Sequence, residues 1–209
     1  NLNNANTSGP TGLTAIEVNG GDPTASDTVI VNNALAATQI DFTPTDVDAG
    51  TISGAQSHTV TADTVELIVV NGNNANDTLT VNTPVGSATT TSLTPGSTVD
   101  SGDVQVASLL AMSFENLGAS GLLVINDADA AADDTLVYQG TGSDDTFGVS
   151  AAGVVSLNSQ IPVDVFGDVA TLTLDSLDGD DTFNVAALHG IGTVNLVGGG
   201  PSASDVANL

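Results

Sequence analysis

The residues best suited to chemistry in this chain are carboxylates. Asp178, Asp180 and Asp181 crowd one turn of LTLDSLDGDDTFNV (172–185). Asp144 and Asp145 are adjacent in GTGSDDTFGV (140–149), and Asp133 and Asp134 are adjacent in LLVINDADAAADDTLV (122–137). Two carboxylates about 5 Å apart repel by roughly 3 kcal/mol at an effective dielectric of about 20. A bound cation reverses that sign. Calcium suits the chemistry, since it takes about six to eight oxygens from carboxylates and backbone carbonyls. The seven Asp are therefore the candidate metal ligands, with Asp178, Asp180 and Asp181 the leading set. The competing reading makes the same residues turn formers and strand-start caps, exposed to solvent and screened.

Other chemistry finds little to work with. His58 and His189 lie far apart in polar and glycine-rich contexts and read as ordinary loop or strand residues. No nucleophile elbow, phosphate loop or dinucleotide-binding glycine motif is present. Paired Asp residues serve as acid and base in glycosidases. Lyase chemistry on acidic sugars, however, calls for Lys or Arg, and this chain has neither; nor has it Trp, and it has a single Tyr for sugar stacking. The expectation is that the chain is not an enzyme.

The elements that would carry these acids are short strands. Apolar residues make up 40% of the 209 residues, mostly Val, Leu, Ile and Ala, enough for a core. Gly, Asn, Asp, Thr and Ser supply most of the rest, a mixture that favours strands joined by turns. Helix formers with long side chains are nearly missing. There is no Lys or Arg against 25 acids, and only Glu17, Glu66 and Glu115 of these are not Asp. A net charge of −25 excludes direct nucleic-acid binding, which needs cations for the phosphates, and opposes adhesion to an anionic membrane. Cysteine is absent, so neither disulfides nor thiolate metal sites exist. No apolar run is long enough to span a membrane. The start at Asn1 reads as a mature secreted protein or a piece of a longer one.

An Asp-Thr, apolar, any, Val-or-near-equivalent pattern opens at Asp27, Asp77, Asp134, Asp145 and Asp181, each time after an apolar strand and a polar turn. The three glutamates lie 49 residues apart, which suggests a unit of about fifty residues. GGDPTASD at 20–27 returns as GGGPSASD at 198–205, so the chain ends inside a further repeat. Residues 1–14 read as a polar arm or linker, and 15–209 as one repeat domain. Strands are expected at 15–19 and 28–32, a turn at 44–48, a loop over 84–96, and one strand over 104–114 with a short helix at 107–112 as the alternative. Such a unit cannot bury its apolar face alone, so copies must stack. The expected fold is all-β: a parallel β-solenoid of irregular repeats with the Asp turns aligned along one edge, or else tandem antiparallel β-sandwich domains.

The turn Gly179-Asp180-Asp181-Thr182-Phe183 resembles half of the nonapeptide of calcium-binding β-rolls. The GDDTF-V turns, each after an apolar strand, resemble the beta strand repeat segments of very large bacterial secreted proteins, especially from planctomycetes. They look distantly like hemolysin-type calcium-binding repeats. The resemblance covers most of the chain and implies a tandemly repeated, calcium-stabilised structural protein outside the cell or at its surface, without catalytic residues. On this reading the chain is a segment of an extracellular filament, surface layer or stalk that self-associates or joins neighbouring repeats. The alternative is a calcium-dependent adhesin for glycans or another cell surface.

Overall fold

The computed structural model describes residues 14–21, 26–33, 35–127, 134–166, 169–187, 190–200 and 204–209. The expected arm, Asp133 and His189 fall outside these, apart from Thr14. The described chain is all-β. It begins with β1 (Ala15–Asn19) and β2 (Thr28–Asn32). A unit of five strands then occurs three times. The first comprises β3 (Gln39–Asp46), β4 (Ala49–Ser53), β5 (Thr59–Asp63), β6 (Leu67–Asn71) and β7 (Thr78–Asn82). The second comprises β8 (Thr90–Pro95), β9 (Gly102–Val106), β10 (Ala111–Glu115), β11 (Leu122–Asn126) and β12 (Asp134–Gln139). The third comprises β13 (Thr146–Val149), β14 (Val154–Leu157), β15 (Val163–Phe166), β16 (Val169–Asp175) and β17 (Thr182–Val185). β18 (Thr193–Val197) and β19 (Val206–Asn208) follow. The units start at residues 39, 90 and 146, intervals of 51 and 56, close to the spacing of the three glutamates.

The strands form two sheets. One has eleven strands in the order β1-β5-β4-β3-β7-β11-β15-β14-β13-β17-β19, the other eight in the order β18-β16-β12-β8-β9-β10-β6-β2. The first three strands of each unit make an antiparallel meander within one sheet. The fourth crosses to the other sheet and the fifth returns. Five is odd, so successive meanders alternate between the sheets. Each meander also runs backwards: β3 lies three places beyond β1, and β4 and β5 fill the gap between them. Every other pairing is parallel, which makes the fold a two-sheet solenoid with an antiparallel strand spliced into each unit.

The alternation of side chains explains the layers. Inward positions carry Val29 and Val31, Ile68 and Val70, Leu79 and Val81, Leu123 and Ile125, and Leu172 and Leu174, all buried between the sheets. Outward positions are mainly Thr, Ser, Asn and Asp. Fully burying each of these aliphatic side chains stabilises the fold by about 1.5–3 kcal/mol. Tyr138, Phe147 and Phe183 lie on three strands as one aromatic group. The Tyr138 and Phe147 rings meet edge-on at 5.6 Å, and Phe147 stacks on Phe183 at 5.7 Å.

Three expectations need correction. The stretch 104–114 is not one strand or a helix: β9 and β10 form a hairpin around Ala107, which takes a positive φ of 49°. The turn spans four residues and so preserves parity, which is why Val104, Val106, Leu110, Met112 and Phe114 all face inward. The 84–96 stretch holds β8, whose Thr91 and Leu93 are buried at period two despite the Thr/Ser-rich composition. Pro44 lies within β3, beside the irregularity before Asp46, and the turn is confined to Val47 and Asp48.

Candidate functional site

The acids lie at the corners where the chain passes from one sheet to the other. They occupy both edges of the solenoid, not one. Asp77, Asp145, Asp181 and Asp205 precede β7, β13, β17 and β19, on the edge where the chain enters the eleven-stranded sheet. Asp27 and Asp134 sit at the start of β2 and β12, on the opposite edge. The meanders cause this split, because each one reverses the sheet in which the next unit begins.

One hydrogen-bonding pattern recurs on both edges. Asp77, Asp134, Asp181, Asp205 and Glu66, each at or just before the start of a strand, accept the backbone N–H of the equivalent residue one coil earlier, whereas Asp145, whose neighbour on the side of the earlier coils, β14, runs antiparallel, accepts Thr141 N of its own corner. Asp77 Oδ1 takes Thr38 N at 2.8 Å, and Asp134 Oδ1 takes Thr89 N at 2.6 Å. Asp181 Oδ1 takes Asp145 N at 2.8 Å, and Asp205 Oδ1 takes Asp181 N at 3.1 Å. Glu66, just before β6, does the same for Asp27 N at 2.5 Å. Side-chain donors fill further acceptor positions. Asn33 Nδ2 donates to Asp77 at 2.8 Å, Thr89 Oγ1 to Asp134 at 3.0 Å, Asn158 Nδ2 to Asp145 at 2.6 Å, and Ser176 Oγ to Asp181.

The same corners show what the preceding strand must supply. The residue after it faces the carboxylate, and in four corners it is glycine. A Cβ at position 72 would lie 2.8 Å from Asp77 Oδ2 and 2.8 Å from the Asn116 carbonyl. Gly20, Gly140 and Gly198 face Asp27, Asp145 and Asp205 in the same way. In the Asp181 corner the residue is Ser176, whose hydroxyl donates to the carboxylate instead. These glycines and Ser176 are functional residues that sequence reasoning missed; the signal was a small residue directly after the strand at these five corners, paired with the Asp that opens the next.

Of the seven candidate ligands, the structure brings four together. Asp145 N donates to Asp181, and Asp180 N donates to Asp144 Oδ1 at 2.9 Å, so the two acidic pairs are cross-connected between neighbouring coils. Asp181 and Asp145 are buried; Asp144, Asp178 and Asp180 are exposed. Asp134 is buried on the other edge. The expected capping role is present, but the caps are not the exposed, screened groups envisaged. Like-charge repulsion at these corners is offset by N–H and O–H donors aimed at the carboxylates of Asp134, Asp144, Asp145 and Asp181, and hydrogen bonds to charged groups contribute about 1.5–3 kcal/mol each.

The oxygens of Asp134, Asp145 and Asp181 already face protein donors, and among the described residues no group of three or more acids or histidines is placed to hold a metal ion. Burial pushes the Tyr138 hydroxyl well above its ordinary value, and the neighbouring Asp145 carboxylate pushes it further the same way. His58 is buried, and among the described residues its Nδ1 has no hydrogen-bond partner.

Comparisons with protein-family models, curated proteins and solved structures find no match for this chain.

Proposed function

We propose that the chain is a non-catalytic structural segment of an extracellular or cell-surface filament, layer or stalk, built by stacking coils along one axis. The observation that carries this reading is the capping pattern. Asp77, Asp134 and Asp181, at the strand starts, are buried and engaged with backbone N–H groups of the neighbouring coil. They join coil to coil along the stack, and a row of such joins extends for as many coils as follow. The absence of Lys and Arg, which leaves trypsin-like proteases no cleavage site, suits a protein exposed outside the cell. Calcium enters this proposal at the exposed acids Asp144, Asp178 and Asp180 of the rim taken singly, since the described residues do not gather them into one site.

Light scattering and negative-stain imaging over a concentration series, with and without calcium, test the reading. Elongated assemblies are the expected result. A chain that stays monomeric at high concentration in both conditions overturns it.

A second reading, a glycan-binding adhesin, is favoured by a groove of about 340 Å³ on the eleven-stranded sheet. Gln39, Asp41, Thr80, Asn82, Asn126 and Asp164 line it with amide, hydroxyl and carboxylate groups suited to sugar hydroxyls. Glycan-array binding that is lost on Asp41→Ala would place the function there.

A further inference from the structure

We infer that the groove over β3, β7, β11 and β15 takes a saccharide that carries free amino groups, seated on the Thr80 hydroxyl and clasped by Asp41 and Asp164. This rests on the adhesin reading above and names the class of sugar that the groove would hold.

The four strands are consecutive in the eleven-stranded sheet, and their three pairings are all parallel. Register places Asp41 beside Thr80, Thr80 beside Val124, and Val124 beside Asp164. One row thus crosses the sheet from carboxylate to carboxylate, its ends three strand spacings or about 14 Å apart. Thr80 is the unusual member. Leu79 and Val81 on either side of it face the core, so Thr80 points outward, yet only 7% of it is exposed. Of the residues that line the groove it is the one that is buried, which makes it the floor. Its hydroxyl has no hydrogen-bond partner among the described residues. A polar group so enclosed normally has one, and here the open side of the groove is where it would come from.

The surrounding groups decide what that partner is. Asp164 is half-buried and accepts no hydrogen bond among the described residues. Asp41 accepts one, from Gln39 Nε2 to Oδ1 at 3.2 Å. Asn126 Nδ2 donates to Asn82 Oδ1 at 2.8 Å, and Asn82 Nδ2 donates in turn to Thr43 Oγ1 at 3.0 Å. The amide nitrogens are therefore turned to neighbouring side chains, and Gln39 Oε1 and Asn126 Oδ1 are left over. Unused acceptors outnumber unused donors, and two of the accepting groups are carboxylates in a chain with no Lys or Arg to neutralise them. The matching ligand is rich in O–H and N–H groups and carries positive charge, whereas an acidic sugar is repelled. Val124, between Thr80 and Asp164, offers an apolar contact for the C–H face of a sugar ring.

A basic peptide has the same charge but fits this place less well. The groove lies on the face of the sheet, and the backbones of all four strands are paired on both sides. A peptide would gain none of the main-chain hydrogen bonds by which extended segments add to a sheet edge. A saccharide needs side-chain groups alone. The two grooves on the eight-stranded sheet, about 210 and 200 Å³, lack the arrangement. They share Asp103, whose Oδ1 already accepts the Ser113 hydroxyl, and none of the polar side chains lining them is buried.

Titration calorimetry of the full chain at about pH 6, below the ordinary amine range and above the carboxylate range, tests the assignment. The probes are the β-1,4-linked trisaccharide of glucosamine, its N-acetylated form, a trisaccharide of galacturonic acid, and trilysine. The glucosamine trimer is expected to bind, its acetylated form about tenfold more weakly, and the acidic trimer not at all. Thr80→Val keeps both shape and net charge, and Asp164→Asn alters a side chain that holds no part of the fold. Each is expected to weaken the glucosamine trimer about tenfold, with the far-UV circular dichroism unchanged. Binding that neither substitution weakens, or trilysine bound as tightly, would show only the general pull of a −25 chain on cations, and overturns the proposal. Equal binding of the free and acetylated trimers, lost in Thr80→Val, overturns the amino-sugar assignment and leaves the adhesin reading standing. No binding to these trimers or to any sugar on a glycan array defeats both.

Discussion

Asp181 offers the sharpest test of the corner chemistry. Its side chain is buried and accepts from Asp145 N and from Ser176 Oγ. Asp181→Ala removes two hydrogen bonds to a charged group, about 1.5–3 kcal/mol each, and leaves a buried N–H without an acceptor, a penalty of about 1–3 kcal/mol. These terms overlap, so the expected loss is about 3–5 kcal/mol, a large part of the ~5–15 kcal/mol that holds a typical domain. Asp181→Asn behaves differently. Its amide oxygen still accepts from Asp145 N, its NH2 faces Ser176 Oγ, and that hydroxyl can turn to the Val197 carbonyl 3.1 Å away. The expected loss is about 1 kcal/mol. Urea unfolding followed by far-UV circular dichroism measures both. Fluorescence of Tyr138, the only tyrosine, reports on the same coils through its contact with Phe147. Equal losses for Ala and Asn would mean that the charge itself, and hence a cation, is what the corner needs; a loss below about 1 kcal/mol for Ala would mean that the cap holds nothing together. Either outcome refutes the reasoning.

Alkaline pH gives a second test. The folded value of Tyr138 lies above the ordinary one of about 10, so the stability it contributes is complete below pH 10 and is lost as pH rises beyond it. Lys, Arg and Cys are absent, so the decline should be traceable to this one phenol by its absorbance, and Tyr138→Phe should flatten it. Among glycines, Gly72→Ala should destabilise by about 1–3 kcal/mol, since its new methyl meets Asp77 and a backbone carbonyl, as in other overpacked sites. Gly142→Ala, with nothing within 4 Å, should stay within about 0.5 kcal/mol in the same urea titration. For calcium, titration calorimetry should show binding weakened by Asp144→Asn and Asp180→Asn but unchanged by Asp145→Asn, whose carboxylate is spoken for by Thr141 and Asn158.

Much of the architecture was legible as alternation and recurrence. β1 and β2 occupy the residues expected, because Val and Ile at period two admit little else there. The antiparallel splice was not legible. A hairpin whose turn preserves parity, as at 107–110, leaves the inward pattern uninterrupted, so β9 and β10 read as one strand. The placement of acids at corners was visible, but their state was not. A count of charges sees repulsion among Asp144, Asp145, Asp180 and Asp181, whereas the fold sets Asp145 N against Asp181 and Asp180 N against Asp144, and those donors have no signature in side-chain composition. Glu66 shows the same limit: nothing local marks it as an Asp77-type cap with one more methylene.

The odd number of strands per unit has an outcome for a long array. Whatever a meander carries on its solvent-facing side, a sugar-binding groove or a site for decoration, is thrown to the opposite flank about fifty residues later and back again after another fifty. A fibre made this way is two-sided by construction, able to present one kind of feature left and right in strict alternation without any twist of its axis.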